Sequence, residues 1–152
     1  MASSAAAQAT QSTQMVMLGQ GSPIATSILV PEGRDVVYVS GTVPDAVNKE
    51  AAPGSVERYG DTEAQTRSVL GKIERELRAH GMDLRNVVMM RVFLVAPPGA
   101  EAMDFRGMMK AYLERYPMSQ PNKPARSTME VAGLVDPGWL VEIEVTAAKQ
   151  GK

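Results

Sequence analysis

The sequence predicts an α+β protein whose elements follow in the order strands, helix, strand, helix and two strands. Three patterns carry this prediction. Residues 36–43 are rich in β-branched and aromatic side chains, two later segments repeat apolar residues at helical spacing, and residues 139–147 form a strand after a strong turn signal. The chain has 152 residues, about the length of one domain, so we expect one core, within residues 15–152.

Residues 15–18 and 24–30 are short apolar runs separated by a turn-like segment. The Pro-Glu-Gly-Arg-Asp stretch at residues 31–35 adds strong turn chemistry after the second run. We expect a hairpin here.

The strand at residues 36–43 ends at Pro44. Ser40 and Gly41 lie inside it, and this pair indicates a bulge or a close approach by a ligand. The polar residues 44–60 that follow are predicted to form a surface loop.

The first long helix is predicted to begin at Asp61 or Thr62, either of which can cap it. Gln65 stands three residues after Thr62, as in a capping box. Gly81 ends the helix, after His80 in its last turn. Its apolar stripe consists of Val69, Leu70, Ile73 and Leu77.

Residues 86–95 form a nearly continuous apolar run, which is typical of a central buried strand. The run contains one charge, Arg91, which needs a partner or a place at the sheet margin. A second helix is predicted at residues 101–116 and ends before Pro117. Strands are predicted at residues 126–131 and 139–147, with a turn at Asp-Pro-Gly between them.

Composition excludes several classes of function. The net charge is −1 and the pI is about 5.9, so nothing favours nucleic acid or an anionic membrane as a partner. The chain has no cysteine and one histidine, which excludes a thiol nucleophile, a thiolate metal site and an imidazole cluster. Residues 1–14 are predicted to be a disordered extension without the features of a secretory signal, and we expect a cytoplasmic protein.

The strongest candidate site involves Arg126 and Glu142. If the last two strands pair, Arg126 on one and Glu142 or Glu144 on the other can meet. The simpler interpretation is a cross-strand ion pair on a solvated face, worth roughly 0.2–1 kcal/mol. The alternative is that Arg126 is partly free and binds a substrate carboxylate, since arginine matches a carboxylate with two hydrogen bonds. Spacing leaves both open.

Other candidates are weaker. His80 is interpreted as a helix-terminal residue, because nothing near it in sequence completes an acid–base pair. The eleven methionines are interpreted as adaptable core or interface side chains. The stretch Gly-Gln-Gly-Ser at residues 19–22 lacks the following lysine of a phosphate loop and is interpreted as a turn.

Three segments together resemble the Rid family of imine and enamine deaminases, also called the YjgF family. They are Val-Ser-Gly-Thr-Val-Pro at residues 39–44, the helix with Gln65 near its start, and the C-terminal pair of Pro-Ala-Arg-Ser at 124–127 with Val-Glu-Ile-Glu at 141–144. The resemblance covers the chain from about residue 15 to its end.

The resemblance implies a chorismate-mutase-like mixed sheet with two helices on one face, and a homotrimer with sites in clefts between subunits. It implies hydrolysis of a 2-imino acid or 2-aminoacrylate to a 2-keto acid and ammonium, with no cofactor. Arg126 would hold the substrate carboxylate and Glu142 would position or activate water. Ser40, with groups near Gly41 and Thr128, would line the pocket.

Two positions depart from the pattern of many deaminases in the family. Ile24 follows Pro23 where a tyrosine is usual, and Met109 occupies a position that is usually asparagine. Two alternatives to the enzyme therefore remain: a non-catalytic trimer that binds 2-keto acids, and a chaperone-like protein.

Overall fold

The computed structural model describes residues 16–18 and 21–150. The predicted disordered extension at residues 1–14 lies outside them. The strands are β1 Val16–Leu18, β2 Ser27–Leu29, β3 Arg34–Thr42, β4 Val87–Leu94, β5 Ala125–Glu130 and β6 Val141–Gln150. The helices are α1 Val56–Tyr59, α2 Thr62–Ala79 and α3 Phe105–Arg115, with a 3₁₀ turn at Leu84–Asn86.

Four strands form one mixed sheet in the order β3-β6-β4-β5. β6 pairs antiparallel with both β3 and β4, whereas β4 and β5 are parallel. The parallel pair requires a crossover, and α3 provides it. β1 and β2 pair antiparallel in a separate two-stranded sheet, as the expected hairpin requires.

The core lies between one face of the four-stranded sheet and the two long helices. The fully buried Met90 and Val92 of β4 belong to the same apolar cluster as Ile73 of α2 and Met108 of α3. The other sheet face carries no helix among the described residues. These features confirm the predicted α+β fold, with a mixed sheet and two helices on one face. No helix within the described residues is long and apolar enough to cross a membrane.

The expected pairing of the last two strands is wrong. β4 lies between β5 and β6, so Arg126 and Glu142 are not on neighbouring strands. The reason is the near-continuous apolar sequence of β4, which is buried along most of its length and therefore takes a central position. Its one charge, Arg91, is exposed and pairs with Glu144 of β6, with 2.6 Å between Nη1 and Oε1.

The predicted capping box at the start of α2 is also wrong. Asp61 is the N-cap, and its carboxylate accepts a hydrogen bond from the amide of Ala64. Gln65 is fully buried, and its side-chain amide donates to the carbonyl oxygens of Gly60 and Gly138 and accepts from the amide of Leu140. A buried amide needs such partners, so Gln65 joins α2 to the turn before β6.

Several details of the elements also differ from those predicted. α3 begins at Phe105 instead of residue 101 because the Asp104 carboxylate caps it, accepting from the amide of Gly107. β6 begins at Val141 instead of residue 139 because the Leu140 amide bonds to α2. The loop at residues 44–60 contains the four-residue helix α1.

Candidate functional site

Arg126 lies in β5 on the helix-covered face of the sheet. It is opposite Met90, whose side chain is fully buried on that face. The Arg126 guanidinium carbon is 4.3 Å from the centroid of the Tyr112 ring and 6.0 Å from that of Phe105, both on α3. Nη2 of Arg126 lies 3.3 Å from Sδ of Met109. The cation is thus surrounded by aromatic and thioether groups instead of carboxylates.

Burial determines the electrostatics of Arg126. Removal from water lowers the pKa of its guanidinium, and the neighbouring Tyr112 partly offsets that effect. Burial also raises the pKa of Tyr112 to about 12, so its hydroxyl is neutral at physiological pH and donates to the carbonyl oxygen of Pro23. Within the part of the chain that the structure describes, Arg126 forms no ion pair. The cross-strand pair with Glu142 or Glu144 is therefore wrong.

Arg126 and Thr128 each have a buried polar atom without a hydrogen-bond partner among the described residues. The two residues alternate along β5, so they lie on the same face. Nη1 of Arg126 and Oγ1 of Thr128 are both buried and have no hydrogen-bond partner among the described residues. Such groups are rare because each one costs about 1–3 kcal/mol of lost hydration. Each of these two groups can therefore still donate a hydrogen bond.

Ser40, Gly41 and Glu142 come together at a second place. The pairing of β3 with β6 shifts between Val39 and Thr42, so the predicted bulge at Ser40 and Gly41 is confirmed. A Cβ atom on Gly41 would overlap Oε1 of Glu142. Glycine therefore permits the Glu142 carboxylate to lie directly against the bulged backbone.

The structure does not bring the two groups of predicted site residues together within one chain. Met90 of β4 pairs with Arg126 on one side and with Val145 of β6 on the other, so these residues lie in one row across the sheet. Glu142 lies three residues from that row, where it pairs with Phe93. Two strand spacings and an offset of three residues separate their Cα atoms by about 14 Å. Arg126 points to the helices, and Glu142 lies on the opposite face, because its neighbour Ile143 is buried in the core.

The segment before β2 borders the Arg126 region. The amide of Ala25 donates to the carbonyl oxygen of Pro124, which places this segment beside the start of β5. Ile24 packs against the core and also lines a depression of about 440 Å³. The described residues that line it are Ser22, Ile24, Ala25, Thr26, Met89, Ala125, Arg126 and Ser127.

The sequence did not identify Tyr112 and Phe105 as neighbours of Arg126. Both lie within the helix predicted at residues 101–116, where apolar residues recur at helical spacing. That spacing is the same for a core residue and for a side chain against a guanidinium. His80 is the C-cap of α2, as predicted. In the described residues, no three His, Asp or Glu side chains are grouped so that they could hold a metal ion.

Comparison with known proteins identifies the family. A family model described as "Endoribonuclease L-PSP" matches residues 28–149, most of the chain. The curated 3-aminoacrylate deaminase RutC from Acinetobacter baylyi is 33% identical over 134 residues, which cover 87% of this chain and 95% of that protein. This chain belongs to the Rid family, also called the YjgF family.

Solved structures agree with this assignment. The Rid-family chain shares 25% identity with NMB1025, a YjgF-family protein from Neisseria meningitidis, with a TM-score of 0.57 over 93% of this chain and 99% of that one. YyfB from Yersinia pestis, a Rid-family protein with 23% identity, has the same fold, with a TM-score of 0.61 over 84% of this chain and 87% of that one.

Proposed function

We propose that this protein hydrolyses reactive 2-imino or enamine acids to 2-keto acids and ammonium. The observation that carries the proposal is the buried Arg126 guanidinium, which has no carboxylate partner among the described residues. A substrate carboxylate would complete its hydrogen bonds, and Thr128 would supply a further one. The deaminase relative supports the reaction class, since RutC shares a third of its residues with this chain.

The chemistry requires a positioned water and a proton acceptor. Water adds to the imine carbon, forming a carbon–oxygen bond, while Glu142 accepts a proton from it. Glu142 then returns the proton to nitrogen, and the carbon–nitrogen bond breaks while Glu142 takes the proton of the new hydroxyl group, which leaves a keto group. The departing ammonia accepts that proton and becomes ammonium. An iminium ion and one water thus give one keto acid and one ammonium ion. No cofactor is needed, because the iminium is already electrophilic.

We further propose that the site forms between two copies of the chain in a homotrimer. One small substrate cannot contact both Arg126 and Glu142 of a single chain, since they lie on opposite faces of the sheet. A neighbouring subunit would bring its Ser40, Gly41 and Glu142 to the Arg126 of the first. Ser40 and the bulged backbone at Gly41 would then line the pocket opposite the guanidinium.

The activity is tested with imines released by an amino acid oxidase, with catalase present and with semicarbazide competing for the imine. The protein is expected to increase keto acid formation at the expense of semicarbazone. Arg126→Ala is expected to abolish the effect, whereas Arg106→Ala, an exposed arginine on α3, retains it. Equal acceleration by wild type and Arg126→Ala would refute the assigned site.

The shared site is tested by mixing two inactive variants. Arg126→Ala and Glu142→Gln subunits, coexpressed with different tags, are expected to restore activity in mixed trimers. In a cyclic trimer that contains both variants, one of the three interfaces combines a native Arg126 with a native Glu142. Random assembly of equal amounts makes about three quarters of the trimers mixed, so about one quarter of wild-type activity is expected. Restoration fails if Arg126 and Glu142 act within one chain. Glu144→Gln is the matched control on β6, since Glu144 pairs with Arg91.

A second candidate function is binding of 2-keto acids without turnover. It is favoured by Met109, a thioether that takes one hydrogen bond from Arg126 and offers no group for proton transfer. Calorimetry distinguishes the two: binding of a 2-keto acid that depends on Arg126, together with no imine hydrolysis, would replace the enzyme proposal with this one.

A further inference from the structure

We infer that the Arg126 site selects 2-imino acids whose side chain is apolar and larger than a methyl group, in preference to 3-aminoacrylate and to imino acids with acidic side chains. This inference rests on the proposed function and specifies its substrate class. The observation that carries it is the apolar character of the groups nearest to the guanidinium.

Met109 makes the first argument. Its Sδ atom lies 3.3 Å from Nη2 of Arg126, so its terminal methyl group is also within a few ångströms of the guanidinium. A carboxylate held by Arg126 would place the substrate's α-carbon and its side chain beside this thioether. A thioether is a weak hydrogen-bond acceptor and a polarisable, flexible apolar surface. It therefore favours a hydrocarbon substituent over an amino or carboxyl group.

Phe105 and Ile24 extend this apolar surface. Phe105, whose ring lies 6.0 Å from the Arg126 guanidinium carbon, is 42% exposed and therefore available for contact. Ile24 belongs to the segment beside the start of β5 and packs against the same core as Tyr112 and Met109. The three side chains that the described residues place against the guanidinium, Tyr112, Phe105 and Met109, carry no charge. A second charge on a substrate side chain would thus have no partner there and would lose its hydration.

Glu130 adds discrimination against acidic side chains. It lies on the same face of β5 as Arg126 and Thr128, and its carboxylate accepts a hydrogen bond from the Met103 amide at 2.5 Å. Four residues along β5 separate Glu130 from Arg126, a distance of about 13 Å, so its negative charge would repel a second substrate carboxylate that extends toward it.

The experiment compares four substrates on the full chain: the imines derived from leucine, alanine and glutamate, and 3-aminoacrylate. The leucine imine is expected to have the highest kcat/KM, at least about tenfold above the alanine imine, because three additional carbons are removed from water. In parallel, calorimetry measures binding of 4-methyl-2-oxopentanoate, pyruvate and 2-oxoglutarate, with the same expected order.

Two pairs of variants isolate the apolar surface. Met109→Asn and Ile24→Thr are expected to reduce the preference for leucine over alanine imine by about threefold or more each, while Met109→Leu retains it. The matched controls are Met118→Asn and Leu29→Thr, both at exposed apolar residues away from Arg126. They are expected to leave the preference unchanged.

The outcomes separate this inference from the proposed function. Hydrolysis of all imines at similar rates, or fastest hydrolysis of 3-aminoacrylate, would overturn the apolar preference but leave the deaminase proposal in place. Ordered binding of keto acids without hydrolysis would support the selectivity and overturn the enzyme. Absence of both hydrolysis and keto acid binding would overturn both.

Discussion

The guanidinium of Arg126 lies over the ring of Tyr112, with 4.3 Å between its central carbon and the ring centroid. The hydroxyl of the same tyrosine donates to the carbonyl oxygen of Pro23 at 2.8 Å. One side chain therefore supports the cation and also fixes the segment that borders the site. Stacking restricts the planar guanidinium more than it would restrict an ammonium, which makes lysine a poor replacement for Arg126.

Replacement of Arg126 is expected to weaken 2-keto acid binding more than a change of charge alone would. Arg126→Ala removes a charge-assisted pair worth about 1.5–3 kcal/mol, so the dissociation constant is expected to rise about 10-fold to 150-fold. Arg126→Lys keeps the charge but loses the two-point contact and the stacking on Tyr112, and is expected to recover only part of the affinity. Calorimetry with pyruvate and 4-methyl-2-oxopentanoate measures both. Lysine binding as tightly as arginine would contradict the role of the planar contact.

Gly41→Ala is expected to reduce imine hydrolysis without unfolding the protein. The added methyl group would overlap Oε1 of Glu142, so the carboxylate must move from the bulged backbone. If Glu142 has the proposed catalytic role, a displacement of about 1 Å is expected to cost about 100-fold in rate. The measurement is kcat with an oxidase-generated imine, together with circular dichroism.

Gly133→Ala is the control for Gly41→Ala. A Cβ atom there meets no described heavy atom within 4 Å, and the backbone of Gly133 does not have a positive φ. Its activity is expected to equal that of wild type. If Gly41→Ala keeps full activity as well, the close contact with Glu142 has no catalytic importance.

Much of the fold follows from local patterns in the sequence. The β-branched run of β3, the apolar stripe of α2 and the turn residues before β6 each identify their element. Strand order does not follow, because local patterns do not show which strands are neighbours at each edge of β4. The apolar run of β4 predicted a central strand, yet the adjacent positions of β5 and β6 in sequence suggested a hairpin that this central strand prevents.

The residues of the candidate site could be selected from the sequence, but their arrangement could not. Arg126 and Glu142 were identified by residue type and resemblance, whereas their placement on opposite faces depends on strand order. The bulge at Ser40 and Gly41 was predictable, because glycine inside a strand has few other roles. The stacking of Tyr112 on Arg126 was not, since the crossover helix brings it to β5 only in the folded chain.

Gln65→Met is expected to destabilise the protein by about 3 kcal/mol. The side chain is fully buried, and its loss leaves the carbonyls of Gly60 and Gly138 and the amide of Leu140 without partners. Each unsatisfied buried group costs about 1–3 kcal/mol, although relaxation recovers part of the total. Urea unfolding followed by circular dichroism measures the change.

Gln120→Met provides the comparison for Gln65→Met. Its amide donates one hydrogen bond to the carbonyl oxygen of Asn122, within an exposed loop. The expected change in the free energy of unfolding is below about 0.5 kcal/mol. Equal effects of the two substitutions would show that the connection between α2 and the turn before β6 contributes little to stability.

Tyr112 is expected to make the protein less stable at alkaline pH. Burial raises its pKa from 10.0 in the unfolded chain to about 12 in the folded one, so above pH 10 the unfolded state releases a proton that the folded state retains. The free energy of unfolding is therefore unaffected by this group below pH 10. It decreases by roughly 2–3 kcal/mol as the pH rises from 10 to about 12. Tyr112→Phe removes this titration and is expected to flatten the decline, although the lost bond to Pro23 lowers its stability at neutral pH. Urea unfolding from about pH 8 to about pH 12 gives both curves, and parallel curves would contradict a buried, neutral Tyr112 beside Arg126.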